Sequence, residues 1–318
     1  MLPFVWLCSL LCAALTIAVP TRRENVPKVL STPKSLPPTY LKDPSNTRTV
    51  SPTLFPAFNR YAHFASASYT YPCRVPPLNT TVAAYENLLL TSTQAMLFRD
   101  DAAHELILAF PGTASFDDQL TDILALLLAP NLVFPALIID ECRGCTVHLG
   151  VLLAWLSILA PLRKTLDALR AECPDYRLTI TGHSLGGAIA TLAYASLRHF
   201  GYDIAAVYTF GQPRTGNPLF ASHIDALAGA TETAPGVFFR STHGSDGVPQ
   251  LPTQFFGYRH SRTEYWEDNV GSASEGATST WRCFGQEAFD CNDAAGNPLK
   301  LVGQGHGYYG GVYMVSPR

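Results

Sequence analysis

Polar and apolar residues alternate where the chain approaches its most telling motif: Arg177 and Thr179 are polar, Leu178 and Ile180 apolar. A period of two predicts a half-buried strand. An Ala- and Leu-rich run at 188–197 follows and favours helix. Upstream, Leu54, Phe55, Phe58, Tyr61, Ala62 and Ala65 recur at helical spacing within 51–68, with Ser51 the expected N-cap and Pro52 the first helical residue. Residues 93–98 and 105–110, separated by Asp100-Asp101, read as a strand hairpin. A long helix is expected over 150–169, strands at 205–210 and 237–242, and a helix over 219–227 between those strands. Strands alternating with helices predict an α/β fold with a mostly parallel central sheet flanked by helices.

Between the strand near 180 and the helix after it lies Gly182-His183-Ser184-Leu185-Gly186. The chain must turn from strand to helix within these residues. That forces Ser184 into a strained turn, while the two glycines let neighbouring backbones pass closely. The serine oxygen then stands clear of the chain at a helix N-terminus, where amide hydrogens favour negative charge. A bare G-x-S-x-G is a weak signal; the strand before it and the small-residue helix after it are what a nucleophile requires. The bland alternative is a structural turn serine.

Composition sets the frame. Of 318 residues, 47% are hydrophobic and 15% charged, too apolar for disorder. Residues 1–20 carry no charge and read as a signal peptide with cleavage near Ala18, implying secretion and no membrane span afterwards. The missing basic start and the length of the apolar run keep an uncleaved anchor as the alternative. Residues 21–50 hold five prolines and a net charge of +4, the pattern of a propeptide or flexible leader. Residues 51–318 then carry −7 and read as one large domain; such acidity argues against a nucleic-acid partner. Six cysteines remain after the leader, and in a secreted chain these are expected as disulfides. Cys142 is expected to bridge Cys145, and Cys283 to bridge Cys291, while the state of Cys73 and Cys173 stays open. Asn79-Thr80-Thr81 is a glycosylation sequon.

A serine nucleophile needs a base, an orienting acid and an oxyanion hole. Asp246, in a loop just past the strand at 237–242, is the expected acid; the alternative is a turn aspartate before Gly247. His223 falls mid-helix, His243 precedes the acid, and His260 is expected inside regular structure. His306, in the glycine-rich stretch Gly303-Gln304-Gly305-His306-Gly307, is the expected base, with His260 as fallback. The Leu185 backbone N–H supplies one hole donor. Thr113, after the strand and glycine turn of Phe110-Pro111-Gly112, supplies the second, and its hydroxyl can add another. No metal or cofactor is required.

These residues are recognisable in series. The chain resembles the secreted fungal class 3 lipases, an α/β-hydrolase family that includes feruloyl esterases. The resemblance runs from about Val50 to Tyr313 and rests on Leu54-Phe55-Pro56-Ala57-Phe58-Asn59, Phe110-Pro111-Gly112-Thr113, Cys142-Arg143-Gly144-Cys145, and Asp175-Tyr176-Arg177 leading to Gly182-His183-Ser184-Leu185-Gly186-Gly187. It continues through Phe210-Gly211-Gln212-Pro213-Arg214, Gly257-Tyr258-Arg259-His260-Ser261 with Glu264-Tyr265-Trp266, and His306-Gly307-Tyr308-Tyr309. It implies Ser184, Asp246 and His306 as triad and Thr113 with Leu185 as oxyanion hole, the same positions the residues themselves suggest. The resemblance also implies a bridge from Cys73 to a cysteine near the C-terminus, but no cysteine follows Cys291. A lid helix should follow the oxyanion loop, here about 115–127, in a stretch lengthened up to Cys142.

Phe116, Leu120, Ile123, Leu124, Leu126 and Leu127 give that lid an apolar face at near-helical spacing, which favours acylglycerol esters at a lipid–water interface. Permanent core packing is the alternative reading of these residues. The polar Asp117-Asp118-Gln119 keeps a feruloyl esterase as the second enzyme reading. A non-catalytic lipid-surface protein that kept the fold is the third possibility.

Overall fold

A computed structural model of the chain describes residues 47–88, 91–113, 131–133, 142–268, 276–295 and 305–314. The expected signal peptide, the leader up to residue 46 and the lid at 115–127 lie outside these. The first elements are β1 (Thr47–Thr49), α1 (Phe55–Ala67), β2 (Thr81–Leu88), β3 (Thr93–Asp100) and β4 (Glu105–Phe110). Then come β5 (Asn131–Val133), β6 (Thr146–His148), α2 (Leu149–Glu172), β7 (Arg177–His183), α3 (Leu185–His199), β8 (Ile204–Phe210), α4 (Pro218–Ala228) and β9 (Phe238–His243). The chain closes with β10 (Glu264–Glu267), β11 (Thr280–Cys283), α5 (Asn292–Ala295), β12 (Tyr308–Tyr309) and β13 (Val312–Tyr313).

Nine strands form one sheet in the order β1-β11-β10-β9-β8-β7-β4-β3-β2. The five central strands, β4, β7, β8, β9 and β10, are parallel; both edges are antiparallel. Strand alternation splits the core into two. From β4, Leu106, Leu108 and Phe110 join Trp155 and Ile158 of α2 and the small residues of α3 on one face. Ile107 and Ala109 point the other way, toward Phe58 and Phe64 of α1. β4 is buried along its whole length, as expected of a parallel strand covered on both sides. In β7, Leu178 and Ile180 pack beneath α2 and α3, while Thr179 and Thr181 face α1, where their hydroxyls donate to Glu105 and to the Tyr61 carbonyl. The alternation seen in the sequence is thus a division between an apolar and a partly polar face.

The expected hairpin, α2, α3, α4, β8 and β9 all form close to their expected bounds. α1 starts later, at Phe55, because Ser51 closes a turn first: its carbonyl accepts Leu54 N–H and its hydroxyl accepts Thr53 N–H. Thr47–Thr49, within the expected leader, pairs with β11 at the sheet edge. α2 is long and apolar enough to cross a membrane, yet Val151, Trp155, Ile158, Leu162 and Leu166 are fully enclosed against the sheet, so it is a core helix. Cys142 bridges Cys145 and Cys283 bridges Cys291, with Cα separations of 5.5 and 6.4 Å. Among the described residues Cys73 and Cys173 form no disulfide.

Candidate active site

The parallel strands carry their ends to one place. β7 finishes at His183, Ser184 holds φ 56° and ψ −128°, and α3 begins at Leu185. Few side chains other than glycine accept such a conformation, and it persists only where packing enforces it. The enforcing contacts are glycines. A Cβ added at Gly182 would strike the Gly186 backbone, and one at Gly186 would strike the carbonyls of Phe110 and Pro111. The Ser184 N–H donates to Phe210 O at 2.8 Å, fastening the turn to β8. Leu185 is the first helical residue, so its N–H has no acceptor within α3.

The loop after β4 lies across this turn. A Cβ on Gly112 would fall 2.8 Å from the Ser184 Cβ. Next in line, the Thr113 hydroxyl is buried and has no hydrogen-bond partner among the described residues. An orphaned buried donor one residue beyond the glycine that packs on Ser184 suits a charge that arrives only during reaction.

Asp246 stands past the end of β9, fully buried. His306 comes from the segment just before β12. Its Nδ1 is 2.7 Å from Asp246 Oδ2 and its Nε2 is 2.9 Å from Ser184 Oγ. A carboxylate only accepts, so Nδ1 carries the hydrogen and Nε2 faces the serine with a lone pair. The Asp246 carboxylate also accepts Val248 N–H at 2.9 Å and the Tyr309 hydroxyl. Burial, reinforced by the Asp246 charge, raises the Tyr309 hydroxyl well above the ordinary tyrosine range, which keeps it a donor. Asn292 Nδ2 holds the Asp246 carbonyl at 3.0 Å, and Asn59 Nδ2 holds the Gly310 carbonyl at 2.7 Å. Such a row of acceptor, imidazole and hydroxyl can draw a proton from the serine as its oxygen attacks a carbonyl.

A family model for class 3 lipases matches residues 107–256. A secreted mono- and diacylglycerol lipase of Penicillium cyclopium is 31% identical over 281 residues, covering 83% of this chain and 87% of that protein. The chain belongs to the class 3 lipase family. A secreted mono- and diacylglycerol lipase of Fusarium solani is 36% identical over 178 residues, 56% of this chain and 48% of its own. The crystal structure of a Yarrowia lipolytica lipase superposes with a TM-score of 0.73 at 28% identity, covering 85% of this chain and 96% of that one. This class 3 lipase has the α/β-hydrolase fold and is a secreted carboxylic ester hydrolase.

In this class 3 lipase all five sequence-derived site residues fall around one turn: Ser184, His306 and Asp246 in contact, Leu185 beginning α3, and Thr113 following the glycine that packs on Ser184. His243 and His260, the histidines weighed against His306 as base, make other hydrogen bonds. His260 lies in irregular chain rather than within an element, its Nε2 donating to Pro249 O at 2.8 Å. Burial and the nearby Arg240 and Arg214 hold it well below the ordinary histidine range. His243 ends β9 and donates from Nδ1 to Gly305 O at 3.0 Å, steadying the segment that carries the base. Sequence reasoning gave no role to Tyr309, Asn292, His183 or Tyr69. Two of them carry a sequence signal: Tyr309 lies three places after His306 in His306-Gly307-Tyr308-Tyr309, and His183 directly precedes Ser184 in the G-x-S-x-G motif. Among the described residues no three His, Cys, Asp or Glu side chains gather to hold a metal ion.

Proposed function

We propose that this lipase hydrolyses acylglycerol esters at a lipid–water interface, with 51–318 as the catalytic domain. Ser184 is the nucleophile, His306 the general base and acid, Asp246 the group that orients it, and the N–H groups of Thr113 and Leu185 the oxyanion hole. The reading rests on one observation above all: the unbroken contact from Asp246 through His306 to Ser184, at 2.7 and 2.9 Å. His306 takes the serine proton as Ser184 Oγ attacks the ester carbonyl. The carbonyl oxygen becomes negative against the hole, and its collapse expels the alcohol with a proton from His306. Water, deprotonated by the same imidazole, then releases the fatty acid from the acyl-enzyme.

Support for an acylglycerol comes from the names of the Penicillium and Fusarium relatives, both mono- and diacylglycerol lipases. Support for an interface comes from two exposed aromatic rings, Phe255 and Phe256, nine and ten residues beyond Asp246. The test compares initial rates on emulsified triolein, emulsified diolein and soluble methyl ferulate. Turnover that rises where substrate passes from solution to emulsion is expected. Turnover confined to methyl ferulate, with no rise at an oil surface, would replace the lipase reading by the feruloyl esterase one. Ser184→Ala should lose on the order of 10⁵-fold or more on p-nitrophenyl butyrate. A fully active Ser184→Ala would sink the site assignment, and an inert wild type would leave only the non-catalytic reading.

A further inference from the structure

His183 is a buried titratable group beside the nucleophile for which the mechanism above has no use. Its ring is fully enclosed and 4.7 Å from the His306 ring. Nε2 lies 2.8 Å from the His306 carbonyl oxygen. A carbonyl only accepts, so Nε2 carries the hydrogen. Burial, with the neighbouring His306 adding to it, keeps His183 well below the ordinary histidine range, so the ring is neutral and Nδ1 is an acceptor. Tyr69 Oη, 2.6 Å away, therefore donates to Nδ1. The same phenol oxygen faces the backbone N–H of Gly112.

These contacts form a directional relay. It runs from an amide that can only donate, through Tyr69 and His183, to a carbonyl that can only accept. Its ends lie at the two components that must meet one reacting carbon: the loop of the oxyanion hole and the residue bearing the base. We propose that Tyr69 and His183 are positioning residues that hold the oxyanion loop and the His306 imidazole in register over Ser184. The proposal rests on the site assignment above and adds to it two residues that touch neither the triad's hydrogen bonds nor its proton path. Two details favour positioning over simple core packing. A Cβ on Gly112 would strike both the Tyr69 hydroxyl and the Ser184 Cβ, so relay and nucleophile share one crowded contact. And because the Gly112 N–H faces Tyr69, the hole takes its donor from Thr113, one residue on.

Tyr69→Phe keeps the ring and removes the middle of the relay. On soluble p-nitrophenyl butyrate its kcat should fall about tenfold or more with KM within about twofold, since misplacement by an ångström costs up to about 100-fold. Phosphonylation of Ser184 by a p-nitrophenyl alkylphosphonate, followed by intact mass, should slow by a similar factor, because the same hole gathers the phosphoryl oxygen. The phosphonate also counts folded sites, so turnover is expressed per titrated serine. His183→Gln places an amide N–H toward the His306 carbonyl and restores part of the relay; it should lose less kcat than His183→Ala. Should Tyr69→Phe fail to fold, this pair decides by the same readouts. A role in packing alone predicts a lower melting temperature with unchanged kcat per titrated site, and that result overturns the proposal. Ser184→Ala run alongside separates the failures: an active Ser184→Ala defeats the site assignment, while an inert one beside an unimpaired Tyr69→Phe defeats only the relay.

Discussion

The serine turn and the loops that bring Asp246 and His306 to it are held by different means. The turn is held by backbone. Gly182, Gly186 and Gly112 pack so tightly that no side chain fits between β4, β7 and α3, and Ser184 keeps its strained dihedrals as a consequence. The acid and base are held by side chains. Asn292 and Trp266 clasp the carbonyls around Asp246, Tyr309 and Val248 hold its carboxylate, and Asn59 and Glu267 fix the hairpin after His306. The nucleophile thus depends on an absence of volume, and the base on a set of distant donors. A methyl group added to one of those glycines should act chiefly on stability, and loss of one of those donors chiefly on turnover.

Beyond the nucleophile itself, the largest expected effect is at the acid. Asp246→Asn keeps the volume but offers an amide to His306 Nδ1. The imidazole then turns its hydrogen toward Ser184 and can no longer accept the serine proton. A fall in kcat of about 10⁴-fold is expected on a soluble ester, with a melting temperature close to the parent. A loss under about 100-fold would mean that His306 is oriented by something other than this carboxylate. On the other side of the comparison, Gly186→Ala adds one methyl group directly against the Phe110 and Pro111 carbonyls. It should cost about 3 kcal/mol of stability, read from denaturant unfolding, as expected of overpacking against backbone that cannot yield. A stable Gly186→Ala with reduced kcat per folded molecule would erase the distinction between the two regions.

The same contrast explains what could be read from the residues alone. The turn was legible because its requirements are local: alternation, then glycine, serine and glycine, then small helix formers, all within 177–197. β10 was not legible as a strand, because Glu264 and Glu267 sit at its ends and yet are buried. Their charge is satisfied by Arg240, Thr242 and Ser241 from the adjacent β9, more than twenty residues earlier. β2 mixes polar and apolar residues in an edge strand and shows no clean alternation. Tyr69 carries no local signal because its partner His183 is 114 residues away. Short-range pattern reveals backbone-built features; hydrogen-bonded ones emerge once the fold has gathered their partners.

The smallest effect sharpens the comparison through pH. His183 faces His306, Tyr69 and Tyr309, and His260 faces Arg240 and Arg214; burial holds both well below the ordinary value of 6.5. Above that value these histidines are neutral in both folded and unfolded chains and contribute nothing to the pH dependence. Below it the unfolded chain takes up protons that the native one refuses, so stability declines as pH falls. Each group contributes a slope of about 1.4 kcal/mol per pH unit, about 2.7 for the pair. Asp225 and Asp293, raised by burial, oppose this: the unfolded chain loses their protons first, so the native state gains as pH falls through their raised range. Comparing wild type with His260→Gln cancels that background. Between pH 6.5 and 5 the variant should show a slope shallower by about 1.4 kcal/mol per unit, with kcat per folded site unchanged. Identical slopes in the two proteins would mean that His260 is protonated in the native state. The site would then tolerate a third cation beside Arg240 and Arg214, and burial would not be what keeps the histidine neutral.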